Sequence, residues 1–303
     1  MMFLILIFSF LLLIKSADVF TDNASALAKK LGIPSFIIGL TLVSISTSLP
    51  ELTVSVTSAL SGMNDMSIAN ITGSNLFNLL VGLGVSAILT KLTISKDIMK
   101  QVKISIASTL LLIISIAGLY FSRLEGLLFI FVLAIYIYSL IKSKKTDTEE
   151  VYEMKHSIPV TILLLILSVA GIIWGGDLLV SSASQVASLL GMSDNLIGLT
   201  VVAMGTSAPE FATSIIAVRK GDTELALGNI IGSNIFNILL ILGISSIICP
   251  MTVSFVSFID AIVLLISTGL FFIAVKDKGV LKRWYGLVMV LTYVSYIIYT
   301  IVR

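Results

Sequence analysis

Two glutamates stand where an apolar chain tolerates them least. Glu51 and Glu210 each lie inside a long hydrophobic run, and each directly follows a proline, Pro50 and Pro209. A carboxylate at the centre of a membrane helix costs about 2.5–3.5 kcal/mol on insertion scales, and a bound cation compensates it. A proline inside a helix removes the bond to the carbonyl four residues back, which frees backbone oxygens near Ser46 and Gly205. Thr47, Ser48, Thr206 and Ser207 add hydroxyls within the same turn. On the runs that follow, Ser74 with Asn78, and Ser233 with Asn237, are spaced i to i+4 and share a helix face. All of these are hard oxygen ligands. Ca²⁺ takes six to eight such oxygens and two carboxylates balance its charge, whereas an octahedral Mg²⁺ cage made wholly of protein groups is unusual. Na⁺ can use the same carbonyls and hydroxyls singly.

These residues come in two sets. Glu210 lies 159 positions after Glu51, and the same shift superposes Asp18 on Asp177, Gly39 on Gly198, Ser74 on Ser233 and Asn78 on Asn237 without a gap. GLTLVSISTSLPELTVS, from Gly39 to Ser55, answers GLTVVAMGTSAPEFATS, from Gly198 to Ser214; ANITGSNLFN, from Ala69, answers GNIIGSNIFN, from Gly228. A repeat kept only for packing does not require matched polar positions. The glycines of these motifs are read mainly as close-packing points. Asp18 and Asp177 are also matched, but without a proline break or hydroxyl cluster, and are read as structural. Lys15 precedes Asp18 by three residues and can pair with it on one helix face.

The elements that must position these groups are membrane helices. The 303 residues are 57% hydrophobic and 12% charged, with a mean hydropathy of +1.11, against about a quarter charged in soluble domains. Apolar runs place spans near 2–26, 33–60, 66–90, 102–121, 124–141, 158–186, 193–217, 225–249, 255–275 and 283–301. Each is expected to be helical, because backbone polar groups in lipid must be satisfied within the segment. Met1–Leu13 lacks a basic leader and is read as part of the first span, which the repeat needs. Five spans per half is an odd number, so the second copy enters from the opposite side. Inverted repeats with interrupted helices point to a secondary transporter with its site at the repeat interface.

Counting loops by side, sixteen of the nineteen Lys and Arg residues fall together, among them Lys29, Lys30, Lys142, Lys144, Lys145, Arg219 and Lys220, against Arg123 and Arg303 opposite. The positive-inside rule then puts both termini outside and makes the polar stretch 142–157 a cytoplasmic linker. The expected architecture is an all-α integral membrane protein of the cell membrane, multi-pass, with ten transmembrane helices as two inverted five-helix repeats. The first repeat is 1–141, with its motif at 39–84, and the second 158–303, with its motif at 198–243.

Composition excludes other chemistries. A single cysteine, Cys249, forms no intrachain disulfide, and a single histidine, His156, leaves no His/Cys cluster for a transition metal. A net charge of +2 without a basic, aromatic-rich run argues against nucleic-acid binding. No phosphate-binding loop or nucleophile elbow is present, so no enzyme activity, cofactor or ATP use is expected, nor is an obligate protein partner evident.

The two motif sets, TSLPE (Thr47–Glu51) with GSNLFN (Gly73–Asn78) and TSAPE (Thr206–Glu210) with GSNIFN (Gly232–Asn237), resemble the alpha-repeats of the calcium/cation antiporter superfamily, which contains the sodium/calcium exchangers. The resemblance covers nearly the whole chain. It implies alternating access, with the first and sixth helices sliding against a core of the others. It implies Ca²⁺ between Glu51, Glu210 and the carbonyls of Thr47 and Thr206, and Na⁺ at Ser48, Ser74, Ser207, Ser233 and the carbonyls of Ser44 and Ala203. Ser44 and Ser46 depart from the alanine and glycine common in the family, and Asn237 from the aspartate of some prokaryotic members. The expected function is Na⁺/Ca²⁺ antiport with Ca²⁺ extrusion driven by Na⁺ entry. The alternatives are a Ca²⁺/H⁺ antiporter using protonation of Glu51 and Glu210 and, less favoured, a cation channel.

Overall fold

The computed structural model describes residues 2–60, 64–142, 156–189, 203–276 and 279–302. Each of the ten expected stretches contains helix. Among the described residues, seven helices are long and apolar enough to cross a membrane, or eight when the bent pair Phe36–Thr47 and Leu49–Leu60 counts as one span. The second repeat's motif begins, at Gly198, outside the described residues, as does most of the linker 142–157.

Met66–Leu89 and Thr223–Ile248 form the centre, with 78% and 83% of their apolar windows buried. The first span and the one starting at Ile158 are only 28% buried and face outward. Those two long helices, α1 (Met2–Lys30) and α9 (Ile158–Leu189), pack along one another. Glycine makes this possible, since a Cβ at Gly175 would meet the Leu13 backbone nitrogen at 2.9 Å. Gly228 on the central helix α12 (Thr223–Phe236) meets the first half as closely, where a Cβ would strike the Phe36 carbonyl and Leu40 nitrogen.

Several helices depart from α geometry where the polar motifs sit. Gly39–Val43, Asn78–Gly82 and Asn237–Leu242 are π turns, a form concentrated at functional sites. At Ser48 the chain leaves helical geometry (φ −84°, ψ 8°), and the helix α4 (Leu49–Leu60) restarts at 44° to the segment before it.

One expected span is displaced. The run placed at 102–121 is the helix α7 (Lys96–Ser115). Its start is fixed by Ser95, whose side chain accepts from the Ile98 amide, with Asp97 in the first turn. Hydropathy discounted Lys96, Lys100 and Lys103, whose long stems reach water from a membrane edge. Past this helix the chain turns through Leu119, at φ 54°, into the strand β2 (Tyr120–Phe121). Short strands clip one half to the other: β1 (Leu92–Thr93) pairs antiparallel with β4 (Val280–Leu281), and β2 with β3 (Met251–Thr252). The exchange is reciprocal. Ile94 donates to the Gly279 carbonyl at 2.7 Å, and Val253 to that of Leu119 at 3.0 Å.

Candidate functional site

Both halves build the same local device. After Ser48 and Ser207 (φ −86°, ψ 4°) new helices begin, α4 and Ala208–Arg219 (α11), each carrying its proline at the start and its glutamate in the first turn. Proline is tolerated there because the first helical amides have no intrahelical acceptor. Glu51 and Glu210 therefore sit at two helix N-termini, whose partial positive charge favours carboxylates, although both are fully buried.

Each glutamate is served by the opposite half. Ser48 Oγ donates to Glu210 Oε1 at 2.8 Å, and Ser207 Oγ donates to Glu51 Oε1 at 3.0 Å. The second oxygen of each carboxylate, Glu51 Oε2 and Glu210 Oε2, has no hydrogen-bond partner among the described residues. The same holds for Ser74 Oγ, Ser233 Oγ and Asn237 Oδ1, all buried. A buried polar atom without a partner is destabilising by about 1–3 kcal/mol, more when charged. A cation offered these oxygens removes that deficit, and two carboxylates with neutral oxygens suit Ca²⁺ or Na⁺. Among the described residues no group of three or more His, Cys, Asp or Glu is placed to hold a metal ion; the oxygens gathered here are two carboxylates, hydroxyls and amide oxygens.

The remaining predicted residues fall into place unevenly. Thr47 and Thr206 are buried beside the breaks, but the Thr47 hydroxyl is directed to its own helix, at 3.1 Å from the Val43 carbonyl. Asn78 opens a π turn, and its Nδ2 lacks a partner among the described residues. Asn237 donates to Asn75 Oδ1 at 3.0 Å. The Ser44 hydroxyl lies 2.6 Å from the Gly39 carbonyl and 2.9 Å from that of Asn229, and its own carbonyl accepts from the Ser48 amide. This extra hydroxyl of the first repeat thus ties the helix to its neighbour. Ala203 begins the short helix Ala203–Thr206 (α10), where the described residues resume.

Four asparagines escaped the sequence reading. Asn70 Nδ2 reaches the Glu51 carbonyl (3.4 Å) and Ser55 Oγ (3.1 Å), and Asn229 Nδ2 the Glu210 carbonyl (3.2 Å) and Ser214 Oγ (2.8 Å). Asn75 and Asn234 donate to each other's carbonyls, both at 3.1 Å, where the two central helices cross. All four lie within the repeated motifs, and that matched placement was the available signal. Asp177, read as structural, lines a cavity of about 220 Å³ with Pro50, Gly205 and Thr206, directly against the breaks. Asp18 pairs with Lys15 at 3.2 Å, as its spacing suggested, and also with Lys220 at 2.6 Å.

The pattern of the sodium/calcium exchanger protein family matches residues 1–142 and 160–302. The chain is 32% identical to the sodium/calcium exchanger MaX1 of Methanosarcina acetivorans, across 98% of this chain and 97% of that one. It is 36% identical to the inner membrane protein YrbG of Escherichia coli, over 81% and 79% of the two chains. Among solved structures, the sodium-calcium exchanger NCX_Mj superposes with a TM-score of 0.87 at 28% identity, covering 98% of this chain and 99% of its own.

Proposed function

The chain belongs to the sodium/calcium exchanger protein family, and from that premise we propose that it is a Na⁺/Ca²⁺ antiporter working by alternating access, with Ca²⁺ extrusion driven by Na⁺ entry. The crossed pair Ser48–Glu210 and Ser207–Glu51 carries this reading. Each carboxylate is held by one half and reads the other, so both halves must close on the same ion. In this reading Ca²⁺ lies between Glu51, Glu210 and the carbonyls of Thr47 and Thr206. Na⁺ uses Ser48, Ser74, Ser207, Ser233 and the carbonyls of Ser44 and Ala203, with Asn78 and Asn237 lining the cavity. Either ion set neutralises the two carboxylates. An empty site leaves two buried charges facing each other, which opposes the change of face and suppresses leak.

The proposed architecture is ten transmembrane helices in two inverted five-helix repeats, 1–141 and 158–303. The termini are outside and the linker 142–157 is in the cytoplasm of a cell-membrane protein. The loosely buried pair α1 and α9 is the moving unit, and the central helices with their asparagine crossing are the fixed one. Purified protein in vesicles is expected to take up Ca²⁺ against an imposed Na⁺ gradient. Uptake indifferent to collapse of that gradient, yet driven by a pH gradient in Na⁺-free medium, would assign the exchange to protons instead.

A further inference from the structure

A groove of about 510 Å³ opens between the last two helices, α14 (Phe255–Val275) and α15 (Arg283–Val302). Its walls are apolar, with Leu80, Phe271 and Met289 along the length, and Lys282, Trp284 and Tyr285 at the end where α15 begins. Trp284 is half-exposed and stacked on Tyr285, with centroids 3.7 Å apart. Lys276, Lys282 and Arg283 are exposed, and none forms an ion pair among the described residues. The repeat-related helix start in the first half is built differently. There Ser122 and Glu125 cap each other's backbone, at 2.6 and 3.4 Å, and Arg123 reaches the Ile248 carbonyl. The run Lys282, Arg283 and Trp284 is therefore not repeated at the first-half helix start, where Ser122, Arg123 and Leu124 stand.

We propose that this groove binds one anionic phospholipid of the cytoplasmic leaflet, an acyl chain lying along Leu80, Phe271 and Met289 and the phosphate at Lys282 on the groove wall, with the exposed Arg283 next to it in the chain. Basic pockets between membrane helices on the cytoplasmic side hold acidic headgroups, and an interfacial Trp marks the headgroup level. A zwitterionic lipid fills the same apolar length but has no net charge to offer the rim. The groove also touches a π turn of the repeat motif. Leu80 belongs to the π turn that Asn78 opens, and Leu281, on the groove wall, pairs with Leu92 in the strand clip. A seated lipid thus braces two segments that hold the halves together. Only the choice of leaflet rests on the orientation proposed above; the binding itself is independent of which ions are exchanged.

Native mass spectrometry of the full chain, titrated with phosphatidylglycerol or phosphatidylcholine, tests the assignment. The wild type should retain one phosphatidylglycerol about tenfold more tightly than phosphatidylcholine, and inorganic phosphate alone should not displace it. Lys282→Gln with Arg283→Gln should remove the preference and leave phosphatidylcholine binding unchanged, whereas Val288→Trp, which fills the groove, should remove the bound lipid of either kind. Retention of the preference in the double variant, or of the bound lipid in Val288→Trp at an unchanged melting temperature, would overturn the proposal.

Discussion

Removing the Lys220 amine should unfasten the proposed moving helix, α1, from the core on one face only. Lys220 Nζ lies 2.6 Å from Asp18 Oδ1, 2.8 Å from Asp22 Oδ1 and 2.9 Å from the Asp18 carbonyl, bridging α1 to the turn after α11. Ser25 on α1 adds a bond to Asp222 at 2.7 Å. The positions 159 residues away hold Asp177 and Ser181 for the two acids and Ser61 for the lysine, so the other half offers no cation to pair. Asp18 and Asp22 are 36% and 60% exposed, and such pairs contribute about 0.2–1 kcal/mol each after screening. Together they are worth about 1 kcal/mol, or roughly fivefold in the equilibrium between the two faces. Apparent affinity scales with the fraction of protein in the competent state. Lys220→Ala should therefore improve apparent Ca²⁺ affinity at the proposed cytoplasmic face by up to about fivefold and weaken it slightly at the other, measured in oriented vesicles. Lys220→Arg should behave as wild type, and raising the ionic strength should narrow the difference. Equal shifts at both faces, or none in a folded variant, would refute the reasoning.

Three further outcomes follow from the geometry. Glu51→Gln and Glu210→Gln each remove a charge while sparing the serine's acceptor. Ca²⁺ affinity should fall at least about a hundredfold, since breaking a buried charge pairing is destabilising by about 3–5 kcal/mol, with helicity by circular dichroism retained. Gly228→Ala drives a Cβ into the backbone at Phe36 and Leu40, and overpacking of this kind costs about 1–3 kcal/mol; a lower melting temperature in detergent is expected, and an unchanged one would show that the helices can part freely. Gly279 has φ 58°, with the Ile94 carbonyl 3.2 Å from where a Cβ would sit. Gly279→Ala should lose about 1–2 kcal/mol, whereas Leu119→Gly, at the matched turn with φ 54°, should raise the melting temperature.

Much of the site was legible because its signals are local. A proline before a glutamate, hydroxyls within one turn and their recurrence 159 residues later locate Glu51, Glu210, Ser48 and Ser207 without coordinates. Periodicity does not reveal which half serves which carboxylate, because hydrogen bonds that close over 156 to 162 residues leave no trace in local spacing. The asparagine bonds were missed for the same reason. Asn70, Asn75, Asn229 and Asn234 read as interior polar residues until their partners, carbonyls on other helices, are placed. The displaced helix Lys96–Ser115 failed on a different count: hydropathy weights Lys100 and Lys103 as if they were in lipid, whereas in the structure the Ser95 cap sets the start. Lys220 read as one loop cation among sixteen, and only the approach of α1 distinguishes it.

The crossed serine bonds also bear on how the chain is made. Glu51 receives its hydroxyl donor from Ser207, 156 residues downstream, and translation at about 5–20 residues per second separates the two by roughly 10–30 s. Through that interval the first half resides in the bilayer with a carboxylate whose partner has not been synthesised, at a cost of about 2.5–3.5 kcal/mol. The candidate ion site is therefore among the last parts of the molecule to exist. Ribosome stalling between the halves would leave in the membrane a fragment marked by its own unanswered charge.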